Sequence, residues 1–137
     1  PMLSGAIKQL INSTQWGELD FLLIDMPPGT GDAYLTIFNE LKVDEFILVT
    51  NSNKLALSDL KKTVSMIKKF KINILGYINN NIFNSEINNE DEYFKLNGIE
   101  LLGNFIFDNN IYNFDLNYDS EISNIISDKI VSMTNNS

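Results

Sequence analysis

Two hydrophobic rhythms alternate along this chain. Over residues 2–14, MLSGAIKQLINST, the apolar positions Leu3, Ala6, Ile7 and Leu10 recur at the three- and four-residue spacing of one helical face. Trp16, Gly17 and Glu18 then lead into Phe21, Leu22, Leu23 and Ile24, a continuous apolar run that ends at Asp25 and two prolines. Such a run, stopped by turn residues, predicts a strand buried on both faces. Residues 33–42 return to helical spacing through Tyr34, Leu35, Ile37, Phe38 and Leu41, and EFILVT at residues 45–50 is a second buried strand. The helix expected over residues 55–70 puts Leu57, Leu60, Val64 and Ile67 on one stripe and turns Lys61, Lys62, Lys68 and Lys69 to water.

Residues 72–78 predict a third strand, followed by Asn79, Asn80 and Asn81 and by a polar stretch, NSEINNEDEY, that reads as a flexible insertion. EYFKLNG gives a short helix closed by Gly98, IELLGNFIF a fourth strand, and residues 119–133 a last helix. Strands alternating with helices across short joins predict an α/β fold: one domain over residues 1–137, with a parallel sheet, helices on both faces and right-handed crossovers.

Composition narrows the chemistry. With 137 residues and 44% hydrophobic content the chain can bury a core. The net charge of −8 and the absence of any basic stripe disfavour nucleic acid as a partner. No apolar run reaches the roughly 18 residues of a membrane span, so no membrane partner is expected either, and the cytoplasm is the default location. There is no Cys and no His. That removes thiolate nucleophiles, imidazole bases and soft metal ligands, leaving oxygen donors that suit a hard cation such as Mg²⁺ arriving with a phosphate substrate.

The stretch FLLIDMPPGTGD, residues 21–32, concentrates what chemistry remains. Prolines lack an N–H and fix φ, and glycines allow backbone that a side chain blocks, so Asp25 stands where a strand gives way to a constrained loop. Open α/β sheets bind ligands at such carboxyl ends. A plain strand-to-helix turn, with Thr30 or Asp32 as the helix N-cap, accounts for the same residues.

Taken together, WGELDFLLIDMPPGTGDAYLTI, FILVTNSNKLALSDLKKTVSMIKK, ILGYINNN and LLGNFIFD resemble the C-terminal half of the Mrp/ApbC ATPases, P-loop NTPases related to MinD and ParA and associated with iron–sulfur cluster assembly and carriage. The resemblance covers nearly the whole chain and is strongest over residues 16–35. It implies that Asp25 holds Mg²⁺ beside the β- and γ-phosphates of ATP, and that the Gly29 amide senses the γ-phosphate. Pro27 and Pro28 would stiffen that switch-like loop. Asn80 falls at the asparagine that faces the adenine base, and Asp108 matches an aspartate of the base pocket, although Ile106 and Asn109 stand where the family usually has prolines. A homodimer and iron–sulfur client proteins are the partners the resemblance implies.

Two family features are missing from this sequence. The glycine-rich phosphate cradle G-K-G-G-x-G-K-[ST] lies upstream of the matching region in relatives, and PMLSGAIKQL matches sequence well inside the full domain; the chain is therefore expected to be the distal part of a longer ATPase, inactive by itself. The C-x-x-C pair of cluster-carrying members is replaced by NIFNSEINNE, and Asn, Ser and Glu are poor iron–sulfur ligands. The alternative is a non-catalytic interaction module of the same fold that associates with an intact ATPase.

Overall fold

A computed structural model describes residues 2–26, 31–51, 54–80, 90–105 and 121–134. In chain order they form α1 (Met2–Ser13), α2 (Asp32–Glu40), β1 (Glu45–Thr50), α3 (Lys54–Lys69), β2 (Asn73–Asn80), α4 (Glu90–Leu96), β3 (Leu101–Phe105) and α5 (Glu121–Thr134). The strands make a three-stranded parallel sheet in the order β1-β2-β3, as a chain of helical crossovers requires. The chain divides into two compact units, Pro1–Phe46 with Asp59–Asn73, and Ile47–Ser58 with Ile74–Ser137.

The first unit is held by an aromatic cluster. Phe38 of α2 lies 4.8 Å from Phe70 and 5.6 Å from Phe46, both edge-on, while Tyr34 stacks on Phe46 at 6.4 Å. Edge-to-face pairs of this kind add about 0.5–1.5 kcal/mol each beyond the area they bury. Val64 and Ile67 of α3 are fully buried, whereas Lys61, Lys62, Lys68 and Lys69 are exposed, so that stripe is as its spacing predicts. α3 ends in a Schellman turn: Ile72 N–H donates to the Ile67 carbonyl and Lys71 N–H to that of Lys68, with Lys71 at φ 58°. α1 attaches to α2 through Glu40, whose carboxylate accepts from Lys8 Nζ at 2.7 Å and Asn12 Nδ2 at 3.2 Å. Those donors hold the Glu40 carboxyl below its ordinary value, Lys8 first and Asn12 second.

In the second unit Tyr77 of β2 stacks on Phe94 of α4 with ring centroids 3.7 Å apart. α4 closes with the same Schellman geometry, Ile99 N–H to the Phe94 carbonyl and Gly98 N–H to that of Lys95, and here the left-handed position is glycine, Gly98 at φ +67°. Lys129 of α5 reaches Glu100, just before β3, at 2.7 Å.

Four expectations change. Phe21, Leu22, Leu23 and Ile24 are not a buried strand: all four side chains are exposed, Leu23 at 79%. A strand exists only through its ladder, and among the described residues nothing hydrogen-bonds to the backbone of residues 21–26. The apolar face of α1 likewise contributes no buried residue. β2 runs on through Asn79 and Asn80, beyond residue 78 where its apolar pattern predicts an end. The N-cap of α2 is neither Thr30 nor Asp32 but Gly31, which makes no side-chain cap; Asp32 is the first-turn acid, and its carbonyl accepts from Thr36 Oγ1 at 2.7 Å. The last two residues of the expected fourth strand, Ile106 and Phe107, and the insertion up to residue 89 lie outside the described residues.

Candidate functional site

Parallel strands bring their carboxyl ends to one edge of a sheet. Here those ends are polar: β1 finishes at Thr50, buried, with its hydroxyl donating to the Asn51 carbonyl at 3.2 Å; β2 finishes at Asn79 and Asn80; and β3 carries Asn104 next to its last residue.

The pairing of β2 with β3 decides which carboxamides meet. Tyr77 pairs with Leu101, but Ile78 pairs with Gly103, so Leu102 is an extra residue on β3, a bulge. From there Asn79 stands opposite Asn104 and Asn80 opposite Phe105. Asn79 is 1% exposed and its Nδ2 donates to Asn104 Oδ1 at 3.1 Å. Successive side chains of a strand take opposite faces, so Asn80 does not share this pairing. The Oδ1 atoms of Asn79 and Asn80 are both enclosed and accept no hydrogen bond among the described residues. An enclosed carbonyl without a donor costs about 1–3 kcal/mol, a deficit that a ligand bringing an N–H removes. Gly76, two residues before Ile78, faces the bulge: a Cβ there would lie 2.6 Å from Leu102 Cγ and 2.7 Å from the Glu100 carbonyl.

Asp25 is exposed and follows the ladder-free apolar run in the first unit, while Asn80 belongs to the second. Pro27, Pro28, Gly29, Thr30, Asn81 and Asp108 lie outside the described residues. Among the described residues there is no group of three or more Asp or Glu that could hold a metal ion, and no helix is long and apolar enough to cross a membrane. Sequence reasoning missed the Asn79–Asn104 clasp. Its signal was present, asparagines within two otherwise apolar strands, Asn79 in ILGYINN and Asn104 in LLGNF.

The open amide acceptors lie at the carboxyl edge of a parallel α/β sheet, where proteins of this architecture bind ligands. The chain superposes on the nucleotide-binding protein from Archaeoglobus fulgidus in complex with ADP with a TM-score of 0.70 and 26% identity, over 88% of this chain and 56% of that one. Residues 1–122 match the ParA family model described as NUBPL iron-transfer P-loop NTPase, and the chain belongs to that family. Similar curated proteins include the iron-sulfur cluster carrier protein of Pseudomonas fragi, 48% identical over 80 residues that make up 58% of this chain and 28% of that protein. The chloroplastic Fe-S cluster assembly factor HCF101 of Oryza sativa subsp. japonica is 46% identical over 80 residues, 58% of this chain and 15% of that protein. The aligned stretch thus spans less than a third of the length of either relative.

Proposed function

We propose that the chain is the distal half of an ATP-binding, Mrp/ApbC-like ATPase that takes part in iron–sulfur cluster assembly or carriage. The observation that carries this reading is the open, enclosed Oδ1 of Asn80 at the end of β2. Adenine presents an exocyclic amino group that such an acceptor reads, and a carboxamide can also donate to a ring nitrogen. The ADP complex of the Archaeoglobus protein and the names of the curated relatives support the same reading.

In the complete protein Asn80 and Asp108 take the base side. Asp25 would hold Mg²⁺, directly or through water, which suits a chain with neither Cys nor His. Bound Mg²⁺ neutralises charge developing on the phosphates. Gly29 presents its amide to the γ-phosphate, and Pro27 and Pro28 make the loop respond as a stiff unit when that phosphate is lost. Phosphate binding itself needs a glycine-rich cradle that this sequence lacks, so turnover belongs to the complete protein. A cluster, as cargo, would be held by thiolates from elsewhere, since this chain has no Cys. The complete protein is read as a homodimer of the cytoplasm, with an organelle as the other setting, as for the chloroplastic relative.

The test is Asn80→Leu in the complete protein. Removing an unsatisfied acceptor leaves stability unchanged or slightly higher, while ATP-Mg affinity falls at least about tenfold, the value of one lost hydrogen bond to the base. Unchanged affinity would remove Asn80 from the base site.

A further inference from the structure

Ser65 is a small, exposed residue on the outer face of α3, and lysines hold all four of its helical neighbours: Lys61 and Lys62 four and three residues before it, Lys68 and Lys69 three and four after. All four lysines are exposed, while Thr63, Val64 and Ile67 fill the buried side of the same turns. The Ser65 hydroxyl turns back to donate to the Lys61 carbonyl at 2.8 Å, so the middle of the face is low between two cationic rows. Lys61 and Lys68 form one row and Lys62 and Lys69 the other, each with a repeat of about 10.5 Å along the axis. Lys71 adds a fifth cation past the helix end, at φ 58°, where glycine would carry less strain.

A helix face made for water alternates the two signs at three- and four-residue spacing. Within α3 that happens once, Lys62 with Asp59 at 3.0 Å, and Asp59 is the only acidic residue of the helix. The helix dipole favours cations over the last turn, which accounts for Lys68 and Lys69 but not for Lys61 and Lys62 in mid-helix. Five of the chain's ten basic residues, and one of its eighteen acidic ones, fall within residues 59–71. Residues 1–46 of the same unit hold seven acidic residues and two lysines. The positive face is a local island on an anionic body. It selects a partner by size as well as by sign. A nucleic acid or an anionic lipid surface extends far beyond it and would bring its own charge against the acidic remainder. A second helix laid along α3, about 8–10 Å away between axes, meets this face alone.

We propose that the outer face of α3 is a docking surface for an acidic helix of a partner protein, one whose carboxylates repeat every seven residues on either side of its line of contact. Ser65 lets the partner's backbone approach, and Lys61, Lys62, Lys68 and Lys69 take its carboxylates. Docking by charge sets orientation and speed of encounter more than tightness, and salt weakens it. The surface is independent of base recognition by Asn80 and stands or falls separately.

The probe is a fluorescein-labelled, alanine-based helical peptide of about 20 residues with Glu pairs seven residues apart, titrated into the complete protein by fluorescence anisotropy. The expected result is saturable binding that weakens at least about tenfold between about 0.02 and 0.3 M salt. Carbodiimide should couple the peptide's carboxylates to Lys61, Lys62, Lys68 or Lys69 in preference to other lysines. Ser65→Glu should weaken binding at least about tenfold without lowering the unfolding temperature, because the new carboxylate serves the same four lysines from within the helix. Retained stability separates that loss from unfolding. The proposal is overturned by an absence of saturable binding at the lower salt, by parent-like binding of Ser65→Glu, or by coupling at other lysines. Equal binding of a peptide with the same Glu residues in one block would overturn it too, as would tighter binding of phosphatidylserine vesicles or of an oligonucleotide than of the peptide.

Discussion

Replacing Gly76 with Ala tests the bulge that sets the register of the candidate site. The new Cβ would meet Leu102 Cγ at 2.6 Å, Leu102 Cδ2 at 2.7 Å and the Glu100 carbonyl oxygen at 2.7 Å. Carbon atoms rest about 3.5–4.0 Å apart, so the overlap approaches 1 Å and something has to move. Leu102 is buried and Cγ is its branch point, which leaves it little room to turn. The Glu100 carbonyl is fixed by accepting the Tyr77 N–H at 2.8 Å, and its retreat would lengthen the bond that anchors the bulge. Overpacking of this kind costs about 1–3 kcal/mol, and a weakened hydrogen bond adds about 1. The loss of chain entropy in the unfolded state returns about 0.4–1 kcal/mol. Gly76→Ala should therefore destabilise the chain by about 1–3 kcal/mol, read as a lower urea midpoint at unchanged slope. In a Leu102→Ala background the same substitution should cost less, because two of the three clashes are gone. A Gly76→Ala protein as stable as the parent, or an undiminished cost in the Leu102→Ala background, would refute the steric account.

Three further outcomes are expected. Lys71→Gly should stabilise the chain by about 1 kcal/mol, because a side chain in the left-handed region costs about 1–2 kcal/mol that glycine avoids; thermal unfolding checks it, and no gain would contradict a left-handed Lys71. Asp25→Asn in the complete protein should leave stability within about 0.5 kcal/mol, as for most exposed sites, while Mg²⁺-dependent ATP turnover falls on the order of a hundredfold or more; a steady-state assay with parent-like rates would unseat Asp25 as the metal ligand. Glu40, held below its ordinary value of 4.5, stabilises the folded chain at pH above that value and loses the contribution as pH falls through its lowered one. Glu40→Gln should accordingly flatten the acid limb of the stability profile and speed amide exchange in α1 at neutral pH, and an unchanged acid limb would count against the Lys8 and Asn12 contacts.

The elements that were legible are those whose partners lie within the chain. β1 has the predicted bounds because EFILVT finds a ladder neighbour in β2 and a cover in Phe38 and Tyr34. α3 shows the predicted stripe, and the end of α4 falls at its glycine. Phe21 to Ile24 had an equally strong strand pattern and did not become a strand, since pattern records what a segment can bury and not whether a partner is at hand. At the site, Asn80 was visible as a strand-end amide. The clasp between Asn79 and Asn104 was not, because it depends on one extra residue at position 102, and register is a property of two strands together.

That extra residue makes the placing of a bulge a means of changing recognition. If β3 kept its length and ran without the bulge, continuing the pairing of Tyr77 with Leu101 would set Asn79 against Gly103 and Asn80 against Asn104. The cross-strand carboxamide would then pass from one asparagine to the next with no side chain at the edge replaced. Deleting Leu102 would instead leave Asn79 opposite Asn104 and Asn80 opposite Phe105, because the residue removed is the one without a partner. Among relatives of this fold, two chains with identical asparagines at these strand ends can therefore present different edges to a ligand when only one of them bulges.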